Sequence, residues 1–329
     1  MRLRLGLPAA ALLMLTGQIG LAASLDDATG RHVAVPDHIT RVLPAGEPAT
    51  ALMVVLAPDL MIGWSHHPSA ERLAGLPSGL AALPDLPHID NTAAVKALKP
   101  DLILDYGDVD PHYTHAIIAA QAATGVASVL ISGSVNDTPR VLRSLGAVLH
   151  REARAEMLAK LAETMLPVSP LGGGRTAVAL FGPDAAQALV AGGNDSEMLD
   201  ILGFRLLAPD GKGATFRAVT LAQVAALDPD VIFLLDPNGR AVVQASPQWH
   251  GLRAVREGRA WAVPSSPFGW LDGPASVNRL FGLAWLANAG LPAPHFTPMA
   301  TTLSQVLYGL DPSAPQSAAL NDMINNPLR

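Results

Sequence analysis

Short runs of consecutive apolar residues, bounded by Gly, Pro, Ser or Asp, alternate along this chain with stretches of helical periodicity. The runs at Thr40–Leu43, Leu102–Leu104, Ser128–Ile131, Thr176–Leu180, Val231–Phe233 and Ala260–Val263 read as strands. They are continuous rather than alternating, the pattern of strands covered on both faces. Ala49–Leu56, Tyr113–Thr124, Glu197–Leu202 and Ser276–Ala289 read as helices between them. Strands and helices alternating at this spacing predict parallel sheets built from right-handed crossovers.

One phrase is repeated. Ala93-Ala94-Val95-Lys96-Ala97-Leu98-Lys99-Pro100-Asp101-Leu102-Ile103-Leu104 reads as a short helix, a Pro-Asp break and a buried strand. Ala222-Gln223-Val224-Ala225-Ala226-Leu227-Asp228-Pro229-Asp230-Val231-Ile232-Phe233 repeats it 129 residues later. Proline stops each helix because it disfavours helical backbone at the residue before it. A weaker copy ends at Leu56-Ala57-Pro58-Asp59-Leu60-Met61-Ile62, which predicts a further strand. One copy in each half implies two similar α/β lobes. Between the halves, Arg140–Leu149 and Glu152–Met165 are amphipathic, and Pro167–Gly174 then breaks the chain. The expected architecture is an α/β lobe over 24–150, a connecting helix over 151–166, roughly 20 Å long at 1.5 Å per residue, and a second α/β lobe over 167–329.

The first residues read as an address. Arg2 and Arg4 precede the apolar run Leu5–Leu15, and Gly20-Leu21-Ala22 supplies small residues for a peptidase. This is the secretory pattern, too short for a membrane span, so residues 1–23 are expected to be a signal peptide and the mature protein to be periplasmic. No later stretch is long and apolar enough to cross a bilayer, and the mature protein is expected not to be membrane-inserted. The polar tail Pro312–Arg329 is expected to be partly disordered.

Composition narrows the chemistry. The 329 residues are 50% hydrophobic and include no cysteine, which removes disulfides, thiolate nucleophiles and thiolate metal sites. The 22 basic and 28 acidic residues leave a net charge of −6 without a basic stripe, so no nucleic-acid partner is expected. Enzyme motifs fail as well. Gly172-Gly173-Gly174-Arg175-Thr176 lacks the lysine and spacing of a phosphate loop, and neither a nucleophile elbow nor a His-Glu-x-x-His helix is present. The chain is expected to be a binding protein with no enzymatic activity and no resident cofactor.

Longer phrases carry a resemblance. The opening Asp27-Ala28-Thr29-Gly30-Arg31-His32-Val33-Ala34-Val35-Pro36 is followed by Thr40-Arg41-Val42-Leu43, and the two Pro-Asp phrases come next. Trp249-His250-Gly251-Leu252-Arg253-Ala254-Val255-Arg256-Glu257-Gly258-Arg259-Ala260-Trp261-Ala262-Val263-Pro264 follows, then Pro267–Pro274 and Ser276–Leu280. In this order, over nearly all of the mature chain, they resemble the periplasmic substrate-binding proteins of ABC importers for ferric siderophores, haem, cobalamin and related metal chelates. The resemblance implies a ligand cleft between two helix-linked lobes, a monomer, and an ABC permease and ATPase as partners. It implies an iron-siderophore or related metal chelate as ligand, with haem, a corrinoid, a metal–histidine complex or a molybdate-type oxyanion as alternatives. A repurposed exported sensor or metallochaperone is the alternative that feeds no permease. The family's permease-docking glutamates match Ala93 and Ala222 here, and Glu47, Glu71 and Glu197 are the nearby acids that would have to replace them.

Ligands of open α/β sheets bind beyond the carboxyl ends of the strands. The post-strand loops therefore nominate Glu47, Trp64, His66, Tyr106, Phe181, Asp236, Phe268, Trp270 and Arg279 as ligand-binding candidates. Trp64 and Trp270 are expected to face each other across the cleft as flat walls, the alternative being packing within each lobe. Arg279 is placed to meet an anionic chelate or to pair with Asp272. His66 is a weak metal candidate in a cleft loop. His112 and His115, three apart on one helical face, fit a metal pair or an ordinary exposed helix start. Asp105, Asp108 and Asp110 fit a hard-cation site or a solvated loop.

Overall fold

The computed structural model describes residues 23–74, 76–166, 170–208, 215–236, 238–287 and 296–309. The proposed signal segment, apart from Ala23, and the polar tail lie outside the described residues. Among the described residues no helix is long and apolar enough to cross a membrane.

A small antiparallel hairpin, β1 (Ala23–Asp26) and β2 (His32–Val35), precedes the first lobe. Its turn is closed by Asp27, whose carboxylate accepts from Thr29 and from the Arg31 backbone and guanidinium. The first sheet then runs in the order β3 (Val42–Pro44), β4 (Leu102–Gly107), β5 (Ala127–Ser132), all parallel. It is covered by α1 (Glu47–Leu56), α3 (Thr92–Leu98) and α4 (Pro111–Thr124). The start of α4 is set by Asp110, which accepts from the Tyr113 N–H, with Pro111 at the first helical position. Its end is set by Gly125 at φ +76, where only glycine is unstrained.

Helices α5 (Thr138–Val148) and α6 (Glu152–Met165) form an antiparallel pair, and Gly146 lets them touch because a Cβ there would collide with that of Ala155. Arg143 on α5 bridges Glu156 and Glu163 on α6. From α6, Arg154 donates to the carbonyls of Val55, at the end of α1, and Leu307, in α12 (Phe296–Tyr308), tying three helices together.

The second sheet is built on β6 (Thr176–Phe181), β10 (Val231–Leu234) and β11 (Ala260–Ala262), again parallel. It departs from the all-parallel sheet that the sequence pattern predicts: β7 (Gln187–Leu189) pairs antiparallel with β6 and with β9 (Phe216–Ala218). The reason is the short connection. Phe181 turns back through Gly182–Ala186 without a helix, and a parallel return needs a crossover. A further short strand, β8 (Arg205–Leu206), pairs parallel with the start of β6. Helices α7 (Asn194–Ile201), α8 (Leu221–Leu227), α9 (Gly239–Ala245), α10 (Arg253–Arg256) and α11 (Arg279–Ala287) complete the second half.

The repeated Pro-Asp phrase has a structural task. The Asp101 carboxylate accepts from the Thr40 N–H at 2.8 Å, the Thr40 hydroxyl at 2.9 Å and the Arg41 N–H at 2.9 Å. Asp230 repeats this with the Thr176 N–H and hydroxyl, both at 2.9 Å. Each Asp thus pins the entry of the strand beside its own. Arg41 caps the Leu98 and Lys99 carbonyls, and Arg253 does the same at Asp228 while pairing with Asp230. The third, weaker copy does not make a strand. Pro58–Leu60 is a single 3₁₀ turn, and Met61 contributes one parallel bridge to Val42 before the chain leaves the sheet at Gly63. Gly63 lies against the Pro84 carbonyl and Leu86, where any Cβ would clash.

Candidate ligand-binding cleft

The carboxyl ends of the strands of both sheets converge, and the loops after β3, β4 and β5 meet those after β7 and β11. Two places at this junction carry concentrated chemistry.

The first is an open depression lined by Glu47, Thr50, Trp64, His66, Pro68, Arg72 and Phe268. Glu47 stands exposed at the first turn of α1, following Gly46. Thr50 donates to the Gly46 carbonyl and shares a 2.8 Å hydrogen bond with the Ser65 hydroxyl, which holds the floor. Trp64 is fully buried and fixed by a bond from its indole N–H to the Leu80 carbonyl at 2.9 Å. It forms the base of the depression rather than an exposed wall. His66 is exposed at the rim. Arg72 comes from α2 (Ala70–Ala74), and Phe268 from the loop after β11. Four of the sequence-nominated residues, Glu47, Trp64, His66 and Phe268, are therefore brought together. Thr50, Pro68 and Arg72 were not nominated, although Arg72 lies only six residues after His66.

The second place is a cross-lobe clasp. Arg279 at the head of α11 is fully buried, and its guanidinium donates to the carbonyls of Ser276, Asn194 and Gly133 and to Glu197 at 3.2 Å. Glu197, on α7, also accepts from the Ser134 hydroxyl at 2.5 Å and the Val135 N–H at 2.7 Å. Asp108, after β4, accepts from the Asn194 N–H at 2.8 Å. Arg279 thus pairs with Glu197, rather than standing free for an anionic chelate or pairing with Asp272, the two alternatives its sequence position offers. Tyr106 is buried beside Arg279 and Thr138, and burial pushes its hydroxyl pKa up despite the nearby guanidinium.

Around the clasp the field is acidic. Asp272 is buried against Asp195, and burial first and the second carboxylate next hold its carboxyl well above the usual range. Asp108 is raised by burial and by Asp195 and Asp110, and Asp105 by burial. The half-exposed Tyr113 is raised by burial and by the same group of carboxylates. Asp105, Asp108 and Asp110 have local tasks: bonds to the Tyr106 N–H, the Asn194 N–H and the Tyr113 N–H respectively. Among the described residues no group of three or more His, Asp or Glu side chains is arranged to hold a metal ion.

The remaining nominated residues lie elsewhere. Trp270 does not line the cleft: it is fully buried, stacked on Phe281 at 5.0 Å and edge-on to Trp285. Its loop folds inward because the Gly269 and Trp270 N–H groups bond to the Gly273 and Pro264 carbonyls, while the Asn278 amide holds Gly269 and Pro274. Phe181 ends β6 and stacks on Phe216 at 5.0 Å. Asp236 accepts from the Asn238 N–H, a local turn bond. His112 and His115 are exposed on α4, with His112 edge-on to Tyr113. Ala93 and Ala222 are exposed on α3 and α8. Glu197, one of the acids that would have replaced them at a docking surface, is consumed by the clasp.

Comparison with known proteins agrees with this architecture. An ABC transporter solute binding protein from Sulfurospirillum deleyianum DSM 6946 superposes with a TM-score of 0.77 at 23% identity, over 88% of this chain and 95% of that one. The molybdate periplasmic binding protein MolA of Haemophilus influenzae superposes with a TM-score of 0.68 at 19% identity, over 88% and 98%. The Fe(3+)-citrate-binding protein YfmC of Bacillus subtilis strain 168 is 23% identical over 181 residues, which is 52% of this chain and 56% of that protein. The chain thus spans a little over half the length of this relative. The sequence profile of the periplasmic binding proteins matches residues 90–267, just over half of the chain, running from the loop before α3 through both lobes to the loop after β11. The chain belongs to the periplasmic binding protein family.

Proposed function

We propose that this protein captures a compact, anionic ferric chelate in the depression between Glu47 and Phe268 and delivers it to an ABC permease with its ATPase. The observation that carries the ligand class is the charge distribution of the cleft. Arg72 lines the depression together with His66, the amino end of α1 and the single carboxylate Glu47. The clasp end holds the acidic groups Asp108 and Asp195. A negatively charged complex is repelled from the acidic end and drawn to the Arg72 end. The depression is small and open, bounded by seven residues, which suits a citrate- or small siderophore-sized complex better than haem or a corrinoid. The similarity to the ferric-citrate-binding relative points the same way.

The test is a titration of the protein lacking residues 1–23 with ferric citrate, a ferric hydroxamate, haemin and molybdate. Tryptophan fluorescence is followed and calorimetry is run in parallel. The expected result is saturable binding of a ferric carboxylate or hydroxamate, weakened at least tenfold by Arg72→Glu with the fold retained. No saturable binding of any ferric complex, or binding indifferent to Arg72→Glu, refutes the reading. Exposed alanines on α3 and α8, at the positions of the usual docking glutamates, favour a second reading in which the cleft no longer feeds a permease. Co-purification with a permease encoded beside its gene excludes that second reading.

A further inference from the structure

The clasp lies where the two lobes touch, and its halves come from opposite sheets. The loop after β5 presents the Gly133 carbonyl, the Ser134 hydroxyl and the Val135 N–H. From the second half, Glu197 accepts from Ser134 and Val135, and Arg279 donates to the Gly133 carbonyl. The approach is close: a Cβ at Gly133 would lie 2.5 Å from the Asn194 side-chain amide of the opposite half. A buried guanidinium is tolerated only when its donors are matched, and Arg279 has four acceptors, three of them backbone carbonyls that cannot rotate away. Of these acceptors Gly133 belongs to the opposite half, so the cross-cleft tie is that bond together with the two that Glu197 accepts from Ser134 and Val135.

We propose that Glu197 and Arg279 form a cross-cleft latch that shuts the β4–β5 end of the cleft and thereby determines which chelates the protein accepts. Compact complexes seat at the Glu47–Phe268 end. Broad planar or many-armed complexes, which need the full width between the lobes, are refused. The inference rests on the chelate-binding reading above. Glu197 and Arg279 act as positioning residues: they set the gap between lobes and do not touch the ligand.

The absence of cysteine makes a direct test possible. Ala93→Cys and Ala222→Cys place nitroxide labels on exposed positions of α3 and α8, one in each half. Pulsed electron spin resonance then reads the distance between the lobes in the parent and in Glu197→Ala and Glu197→Gln. In parallel, the ratio of haemin affinity to ferric citrate affinity is measured for each. The latch predicts one narrow distance distribution for the parent. It predicts a longer or broader one in Glu197→Ala, with the haemin-to-citrate ratio raised at least tenfold. Glu197→Gln keeps an acceptor for the Val135 N–H and is expected to fall between them, which guards against a merely unfolded alanine variant. A parent distribution that is already broad, or variants that leave both the distances and the ratio unchanged, overturns the proposal. Lobes that open in Glu197→Ala without any gain for haemin remove the selectivity and leave a structural tie. If no chelate binds any of the proteins, the ligand reading fails and the size filter with it, while the distances still decide whether the latch closes the lobes.

Discussion

Asp272 illustrates how single residues here are governed by burial more than by neighbours in sequence. Its carboxyl is buried against Asp195, and its pKa is raised first by desolvation and then by that second carboxylate. A group whose folded pKa exceeds its unfolded value of ~3.9 binds more protons when folded. Stability is then full below the unfolded value and falls as pH rises towards the folded one. Asp272→Asn, which mimics the protonated acid, is expected to remove this fall. Its urea midpoint at pH 7 should equal or exceed the parent's, with the advantage vanishing near pH 4. Trp270 belongs to the same scale. Wholly buried against Phe281 and Trp285, it should cost about 3–5 kcal/mol when changed to alanine, read from urea unfolding. Trp270→Phe should restore most of that stability and leave chelate binding intact, since the indole does not reach the depression.

At the scale of elements, the Pro-Asp phrase is a strand-entry pin used twice. In the second sheet, the Thr176 backbone N–H and hydroxyl, helped by Arg253, hold the Asp230 carboxyl down to about 2. A depressed pKa contributes stability that is complete above the unfolded value of ~3.9 and disappears as pH falls through the folded one. Asp230→Asn should therefore lower the thermal midpoint at pH 6, and the difference from the parent should shrink between pH 4 and pH 2. Equal pH profiles would mean that the pin contributes nothing. The phrase was readable because its grammar is local: helix periodicity, a proline stop and a β-branched or leucine-rich run. Its purpose was not readable, since the partners Thr40 and Thr176 lie 61 and 54 residues from their aspartates. The antiparallel β7 and β9 were missed for a related reason. Three-residue strands such as Gln187–Leu189, set among Gly, Asp and Asn, carry too little pattern to register.

For the whole molecule, the main hydrophobic core is shared. Leu52, Tyr106 and Val129 of the first half, Leu158 of α6, and Leu199, Phe233 and Phe281 of the second belong to one buried cluster. Helices α11 and α12 return the chain to the first half, with Ser276 bonded to the Pro48 carbonyl and Leu307 to Arg154. The two lobes should consequently unfold together. Scanning calorimetry is expected to give a single transition whose van't Hoff and calorimetric enthalpies agree. Two resolved transitions would show that the shared core does not couple the lobes.

The sequence by itself determined the α/β class, the duplicated unit and most helices and strands, because these follow from the spacing of apolar residues and from proline, glycine and cap chemistry within a few residues. It also placed Glu47, Trp64, His66 and Phe268 on loops at the proper ends of strands, and those four line one depression. Only the tertiary structure decided that Arg72 joins them, that Trp270 turns inward, and that Arg279 chooses Glu197 over Asp272. Arg279 and its Gly133 acceptor are 146 residues apart, and Glu197 sits between them in sequence. A side chain's partner depends on which loops the two assembled sheets bring within 3 Å, and no local pattern along the chain encodes that distance.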